Sequence, residues 1–246
     1  VGLKKNHLFG ISKNFLFLVL HIFMSEIITN YKKIINQIDS IKKDSNLNCS
    51  NAKLIAVSKT FPIDDIQILI DEGHKIFGEN KVQEATQKWD LLKSRNQNIE
   101  LHLIGPLQSN KVKQALKIFD VLQTIDREKI AIKISNTLKD DLIQERKKFF
   151  VQVNIGNEIQ KSGLETGVTG KFVEWCVNDL NLNVVGLMCI PPFDKDSTIF
   201  FKSMKKMCND FGLKHLSMGM SSDYKTAIRH GATYVRVGTG IFGKRG

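Results

Sequence analysis

Short apolar runs alternate strictly with amphipathic stretches along this chain, eight runs in all, and this rhythm restricts the fold more than any other feature. The runs are Lys53–Ser58, Lys75–Phe77, Leu101–Ile104, Val121–Thr124, Phe149–Asn154, Val184–Cys189, His215–Ser217 and Tyr234–Val237. Runs this short, bounded by polar residues and glycine, read as buried strands. Between them lie Pro62–Glu72, Lys81–Lys93, Ser109–Lys117, Arg127–Leu138, Gly170–Asp179, Ser197–Phe211 and Asp223–His230, with apolar residues at helical spacing. Proline opens the first of these helices, and Gly73 and Gly231 close two of them. Strict β/α alternation argues a parallel sheet. Eight units in 246 residues match a (β/α)8 TIM-type barrel, with a doubly wound sheet as the alternative. One extra helix precedes the series over 25 to 43, where Ile27, Ile28, Tyr31, Ile34, Ile35, Ile38 and Ile41 share a face. No linker rich in Pro, Gly or Ser divides the chain, which predicts a single domain.

The first 23 residues stand apart. Lys4, Lys5 and Lys13 precede an apolar run, Phe15 to Phe23, that is too short to span a bilayer and lacks a small-x-small cleavage site. Met24-Ser25 reads as the start of a cytosolic chain, with Ser25 as helix cap. Residues 1 to 23 are therefore expected to be a dispensable extension, a membrane anchor being the rival, and 24 to 246 the barrel domain.

Composition sets further bounds. The apolar fraction of 42% and charged fraction of 25% are those of a globular chain. The net charge of +11 raises nucleic acid as a partner. The lysines, however, are spread along the whole chain without a run of five or six, which favours a solvated surface that attracts small anions. The four cysteines are far apart and the six histidines form no ligand pair, so no metal is assigned and the thiols are read as reduced and buried.

Barrels of this type place their sites at the C-terminal strand ends. There the chain puts Ser58-Lys59-Thr60, Gly78-Glu79-Asn80, Gly105-Pro106-Leu107-Gln108, Asn154, Ser217-Met218-Gly219-Met220-Ser221 and Gly238-Thr239-Gly240. An amine at the mouth of an apolar strand is partly desolvated, which favours its neutral, nucleophilic form. The alternative for Lys59 is a lysine leaving the core with its head in water. Gly238, Gly240 and Gly243 spell G-x-G-x-x-G, but only three residues follow, too few for a dinucleotide fold. The loops after strands seven and eight are instead where barrels often bind phosphate. The loop from Ser217 to Ser222, leading into a helix, suits an anion, although Ser221 or Ser222 as a plain cap fits the same geometry. Arg236, in the last strand, is either half of a structural ion pair or a cation facing a heteroaromatic nitrogen. A phosphate cradle, a strand-end lysine and an arginine together suggest pyridoxal 5′-phosphate (PLP).

The strings Ala56-Val57-Ser58-Lys59-Thr60, Phe77-Gly78-Glu79-Asn80-Lys81-Val82-Gln83-Glu84, His102-Leu103-Ile104-Gly105-Pro106-Leu107-Gln108-Ser109-Asn110-Lys111, Val153-Asn154 with Glu158 and Lys161-Ser162-Gly163, Gly186-Leu187-Met188, Leu216 to Ser221 with Asp223, and Arg236-Val237-Gly238-Thr239 resemble, in order, the pyridoxal phosphate homeostasis proteins. The resemblance implies a barrel akin to the N-terminal domain of alanine racemase. It implies PLP held as a reversible Schiff base on Lys59, with Arg236 at the ring nitrogen. It further implies phosphate on Ser217 or Ser221 with Gly238 and Thr239, and a ring pocket lined by Asn80, His102 and Asn154. Lys161 would lie near the mouth and assist release. Gly240 stands where the family usually has alanine, Cys189 where it often has threonine, and Thr124-Ile125-Asp126 replaces a more usual Ser-Val-Asp.

A racemase needs two bases on opposite faces of the substrate carbon. In alanine racemases the second is a tyrosine supplied by a partner's interface involving a β-rich domain. Here the three tyrosines, Tyr31, Tyr224 and Tyr234, lie in no recognisable motif. The expectation is therefore a cytoplasmic, monomeric PLP carrier without efficient turnover. It would serve PLP-dependent apo-enzymes, with no nucleic-acid or membrane partner. A PLP-dependent amino-acid racemase is the alternative.

Overall fold

A computed structural model describes residues 13–44, 51–140 and 147–243; for 13–23, 25 and 140 only the backbone is described. Eight parallel strands close into a barrel in sequence order. They are β1 (Lys53–Val57), β2 (Ile76–Glu79), β3 (Glu100–Leu103), β4 (Val121–Ile125), β5 (Lys148–Val153), β6 (Val184–Cys189), β7 (His215–Ser217) and β8 (Tyr234–Val237). Closure is made by β1 on β8, with Ile55 opposite Arg236 and Ala56 opposite Val237. The doubly wound alternative is thereby excluded.

Helices α2 (Ile63–Asp71), α3 (Val82–Arg95), α4 (Val112–Ile118), α5 (Glu128–Asp140), α6 (Thr166–Asn178), α7 (Ser197–Asp210) and α8 (Tyr224–Arg229) connect successive strands. Their apolar faces and the outward strand residues form one continuous core that includes Leu54, Phe77, Trp89, Leu101, Phe119, Phe149 and Phe201. Helix α1 (Lys13–Lys42) precedes β1, and a four-residue α9 (Thr239–Phe242) follows β8. Helix α1 packs against α2, α8 and α9. Ile27, Ile34, Ile38 and Ile41 are its buried stripe, as the spacing predicts. Residues 1–12 of the expected extension lie outside the described residues; over 13–23 the backbone is helical and continuous with α1, so the helix does not begin at Ser25 and Ser25 is not its cap. No helix among the described residues is long and apolar enough to cross a membrane.

Inside the barrel a smaller apolar cluster contains Ile55, Val121, Phe150, Met188 and Tyr234. Parallel register puts partners on the same face. Ile55 therefore brings Arg236 inward, and Met188 brings Ser217. Val121 likewise brings His102 inward. These polar residues, with Gln123 and with Gln152 opposite Met188, are buried exceptions among the apolar side chains of the interior.

Candidate functional site

The C-terminal mouth of the barrel holds a cavity of about 380 Å³. It is lined by Lys59 after β1, Asn80 after β2, Ile104 after β3, Ile190 after β6, Met220, Ser221 and Ser222 after β7, and Arg236, Gly238 and Thr239 from β8 onward. Six of the nine residues singled out in the sequence thus meet at one opening: Lys59, Asn80, Ser221, Arg236, Gly238 and Thr239.

Each is placed by local structure. β1 is apolar along four residues and ends at Val57, so Lys59 emerges at the rim, half-buried. Asn80 is held where the β2 and β3 loops touch. A Cβ on Gly105 would lie 2.2 Å from the Asn80 carbonyl oxygen, so only glycine lets the loops approach this closely. Asn80 Oδ1 is buried and has no hydrogen-bond partner among the described residues, an acceptor that a ligand donor would satisfy. In the β7 loop Gly219 has φ of 89°, and its carbonyl accepts from the Arg236 N–H at 3.0 Å. The Met220 N–H donates to Asp223 Oδ1 at 2.7 Å, which presents Ser221 and Ser222 to the cavity. The Thr239 and Ser221 hydroxyls lie 3.4 Å apart. Helix α8 has only six residues. The hydroxyls and the loop, including Gly238 and Thr239 where α9 begins, are therefore the groups at hand to hold an anion.

Arg236 is 4% exposed. Its Nη1 donates to Ser217 Oγ at 2.7 Å and its Nη2 to the Cys189 carbonyl at 2.8 Å. Both acceptors are neutral, so the structural ion-pair alternative is not what holds this guanidinium. Burial pulls its pKa below the ordinary arginine value, while Cys189 and Asp223 pull it back. A guanidinium nevertheless stays charged in proteins. Such a cation suits a ligand acceptor at the cavity.

The other three predicted residues lie elsewhere. Ser217 is fully buried beneath Arg236 and donates to Gln123 Oε1 at 2.6 Å, away from the serines of the rim. His102 is fully buried inside the barrel, where its Nδ1 accepts from Gln123 and its Nε2 meets Glu100, both at 2.8 Å. Burial depresses its pKa, and the bond from His102 holds the Glu100 carboxyl down to about 2. Asn154 staples its own loop, donating to the Glu158 carbonyl at 2.8 Å and accepting from its N–H at 3.1 Å. Lys161 bonds to the Pro191 carbonyl and pairs with Glu158, tying the β5 loop to the β6 loop.

Sequence reasoning passed over the apolar walls Ile104 and Ile190, and Gln123. Gln123 carried a readable signal: it interrupts the apolar run Val121-Leu122-Gln123 at a position that must point inward. The remaining described thiols are inert by burial, which pushes Cys176 and Cys189 up to about 12 and Cys208 to about 11. Among the described residues no cluster could hold a metal ion.

The profile of the family "Alanine racemase, N-terminal domain" matches residues 29–246. A pyridoxal phosphate homeostasis protein of Haemophilus influenzae is 37% identical over 88% of this chain and 94% of its own length. Its counterpart in Aquifex aeolicus is 36% identical over 80% of this chain and 88% of its own. Among solved structures, PipY of Synechococcus elongatus with PLP bound superposes with a TM-score of 0.72 at 30% identity, covering 78% of this chain and 93% of that one.

Proposed function

The chain belongs to the pyridoxal phosphate homeostasis protein family, and on that premise we propose that it binds PLP at the barrel mouth and holds it reversibly on Lys59. One observation supports this above others: a half-buried primary amine, a buried guanidinium and two adjacent hydroxyls line the same cavity of about 380 Å³. That volume lies within the roughly 300–1,000 Å³ usual for small-molecule sites. The donor set fits the ligand. Lys59 offers the nucleophile, Ser221 and Thr239 offer hydroxyls to a phosphate, and the orphaned Asn80 acceptor offers a place for a ligand donor. Bound there, PLP would supply an aldehyde, and Lys59 Nζ is the amine placed to hold it reversibly as a Schiff base. Arg236 would fix a permanent cation beside the ring nitrogen and keep protons off it.

In this reading the protein is a cytoplasmic, monomeric carrier that shields a reactive aldehyde and releases it to PLP-dependent apo-enzymes. Borohydride reduction of the PLP-loaded protein, followed by peptide mapping, is expected to place the whole adduct on Lys59. An adduct elsewhere, or none, would overturn the reading.

The racemase alternative needs a second base facing the first. Tyr31 sits on α1 against His74, Tyr224 donates to Gln37, and Tyr234 lies in the barrel interior, so the chain's tyrosines are all committed away from the cavity. Slow α-deuterium exchange of L-amino acids, with no chirality change, is the expected result. Fast racemisation lost in Lys59→Ala would favour the enzyme.

A further inference from the structure

A line of hydrogen bonds runs through the barrel from its N-terminal mouth to the cavity. Lys148 Nζ donates to Glu100 Oε2 at 2.8 Å, and His102 Nε2 meets Glu100 Oε1 at 2.8 Å. His102 Nδ1 meets Gln123 Nε2 at 2.8 Å, Gln123 Oε1 accepts from Ser217 at 2.6 Å, and Ser217 Oγ accepts from Arg236 at 2.7 Å. His102, Gln123 and Ser217 are fully buried.

Donor chemistry permits one consistent assignment. Arginine has no acceptor, so Arg236 must donate to Ser217. The single Ser217 proton then goes to Gln123 Oε1, which turns the Gln123 NH₂ toward His102. His102 Nδ1 is therefore the lone-pair nitrogen and Nε2 carries the proton, given to Glu100. The reverse Gln123 orientation would strand the Ser217 proton beside a donor-only guanidinium. With His102 kept neutral by its burial, it would also put the single ring proton on Nδ1 and leave the bare Nε2 facing a carboxylate. Every link thus points the same way, from the Arg236 cation to the Glu100 carboxylate.

We propose that Gln123 and His102 are positioning residues for Arg236, fixing the guanidinium's rotation so that its remaining N–H groups face the bound ring. The proposal rests on the PLP reading. At the same depth the barrel is filled by Ile55, Val121, Phe150 and Met188, so apolar side chains would pack here without the risk of an unsatisfied polar atom. The polar line is retained for orientation. If it is cut, the Ser217 hydroxyl turns freely and only the Cys189 carbonyl is left to fix the Arg236 guanidinium, which regains part of the torsional freedom that ligand binding must remove.

The test is a double-mutant cycle on PLP affinity, with nitrogen-15 NMR of His102 as a second readout. Gln123→Leu and Ser217→Ala are each expected to weaken PLP about tenfold to a hundredfold, the worth of a hydrogen bond to a charged group. Both should displace the absorption band of the bound cofactor, while saturating PLP still gives a reducible adduct on Lys59. In an Arg236→Met background the same changes should have no further effect. Equal losses in both backgrounds, or unchanged affinity, would reduce Gln123 to a core-filling residue and end the proposal. Without PLP, His102 should show the neutral tautomer protonated on Nε2; Gln123→Leu leaves Glu100 to hold that tautomer and should shift only the Nδ1 resonance, by removing the donor to it. The protonated-Nδ1 form in wild type would also overturn the assignment. Ser217→Ala removes one oxygen and decides the matter if Gln123→Leu does not fold. Wild-type protein with no Lys59 adduct would refute the PLP reading instead, and the NMR result would still judge the line itself.

Discussion

Thr60, directly after Lys59, holds φ of 68°, a left-handed conformation that β-branched residues rarely accept. Such strain persists only where the surroundings over-determine it. Here the Thr60 N–H donates to Glu84 Oε1 at 2.6 Å, and Lys88 Nζ donates to the Ser58 carbonyl at 2.9 Å and the Phe61 carbonyl at 3.4 Å. Lys88 also pairs with Glu79 at 2.8 Å and Glu84 at 2.9 Å. Burial pushes the Glu79 carboxyl upward against the pull of Lys88; burial opposes, but Lys88 and the Thr60 N–H outweigh it, at Glu84, whose pKa is lowered. Replacing Lys88 by methionine would leave Glu79 buried without its cation. Breaking a buried pair from one side costs roughly 3–5 kcal/mol. Lys88→Met is therefore expected to lower stability by about 3 kcal/mol in urea unfolding and to weaken PLP, whereas an unchanged midpoint would show that the loop holds itself. None of this was readable beforehand. A lysine on an amphipathic helix reads as solvent-facing, and only the tertiary approach of α3 to the β1 loop buries it. Gly240 is similar: a methyl there would meet Val237 Cγ1 at 2.9 Å, so this chain has no ready room for the alanine the resemblance leads one to expect.

Helices and strands were largely legible because the barrel gives each one a distinct period of burial, and the exceptions have packing causes. Helix α6 begins at Thr166, not Gly170, because Gly170 is a contact point rather than a boundary: a Cβ there would lie 2.8 Å from Phe211 Cε1. Helix α9 is four residues long and leaves no periodic trace; its place is set by Phe242, which stacks on Phe61 at 4.6 Å, and by Asn30, which donates to the Ile241 carbonyl. The docking of α1 onto the α2–β2 turn passes through His74, whose Nδ1 lies 3.3 Å from the Tyr31 hydroxyl and whose Nε2 meets the Ile76 carbonyl at 2.8 Å. Burial lowers the His74 pKa to about 4. The unfolded chain, with histidine near 6.5, binds more protons than the folded one between these values. Stability is thus complete above about pH 6.5 and falls as pH drops toward 4. The linkage is worth roughly 3 kcal/mol over that window. His74→Asn should flatten the slope of unfolding free energy between pH 6.5 and 4, whatever it does to stability at pH 7. A slope as steep as wild type would assign the acid sensitivity to another group.

At the scale of the molecule, alternation alone left an open sheet and a closed barrel both standing, since the pairing of β1 with β8 joins residues almost two hundred positions apart and has no local signature. The same long-range geometry converts dispersed charge into function. The lysines form no run in sequence, yet the net charge is +11 and the cavity opens at one face of a compact body. A positive field of this kind raises the encounter rate of an anion and fades as salt shortens the Debye length, from about 30 Å at 0.01 M to about 8 Å at 0.15 M. Contacts made after encounter are short and partly buried, so they are screened far less. Salt should therefore act on capture rather than on retention. Stopped-flow absorbance is expected to show the association rate of PLP falling severalfold between about 0.01 M and 0.5 M salt, with dissociation changed little. Pyridoxal, which has the same aldehyde but no phosphate, should show an association rate nearly independent of salt. Equal salt dependence for the two aldehydes would mean that the charge of this surface plays no part in drawing the ligand in, and that the phosphate is recognised only once it has arrived.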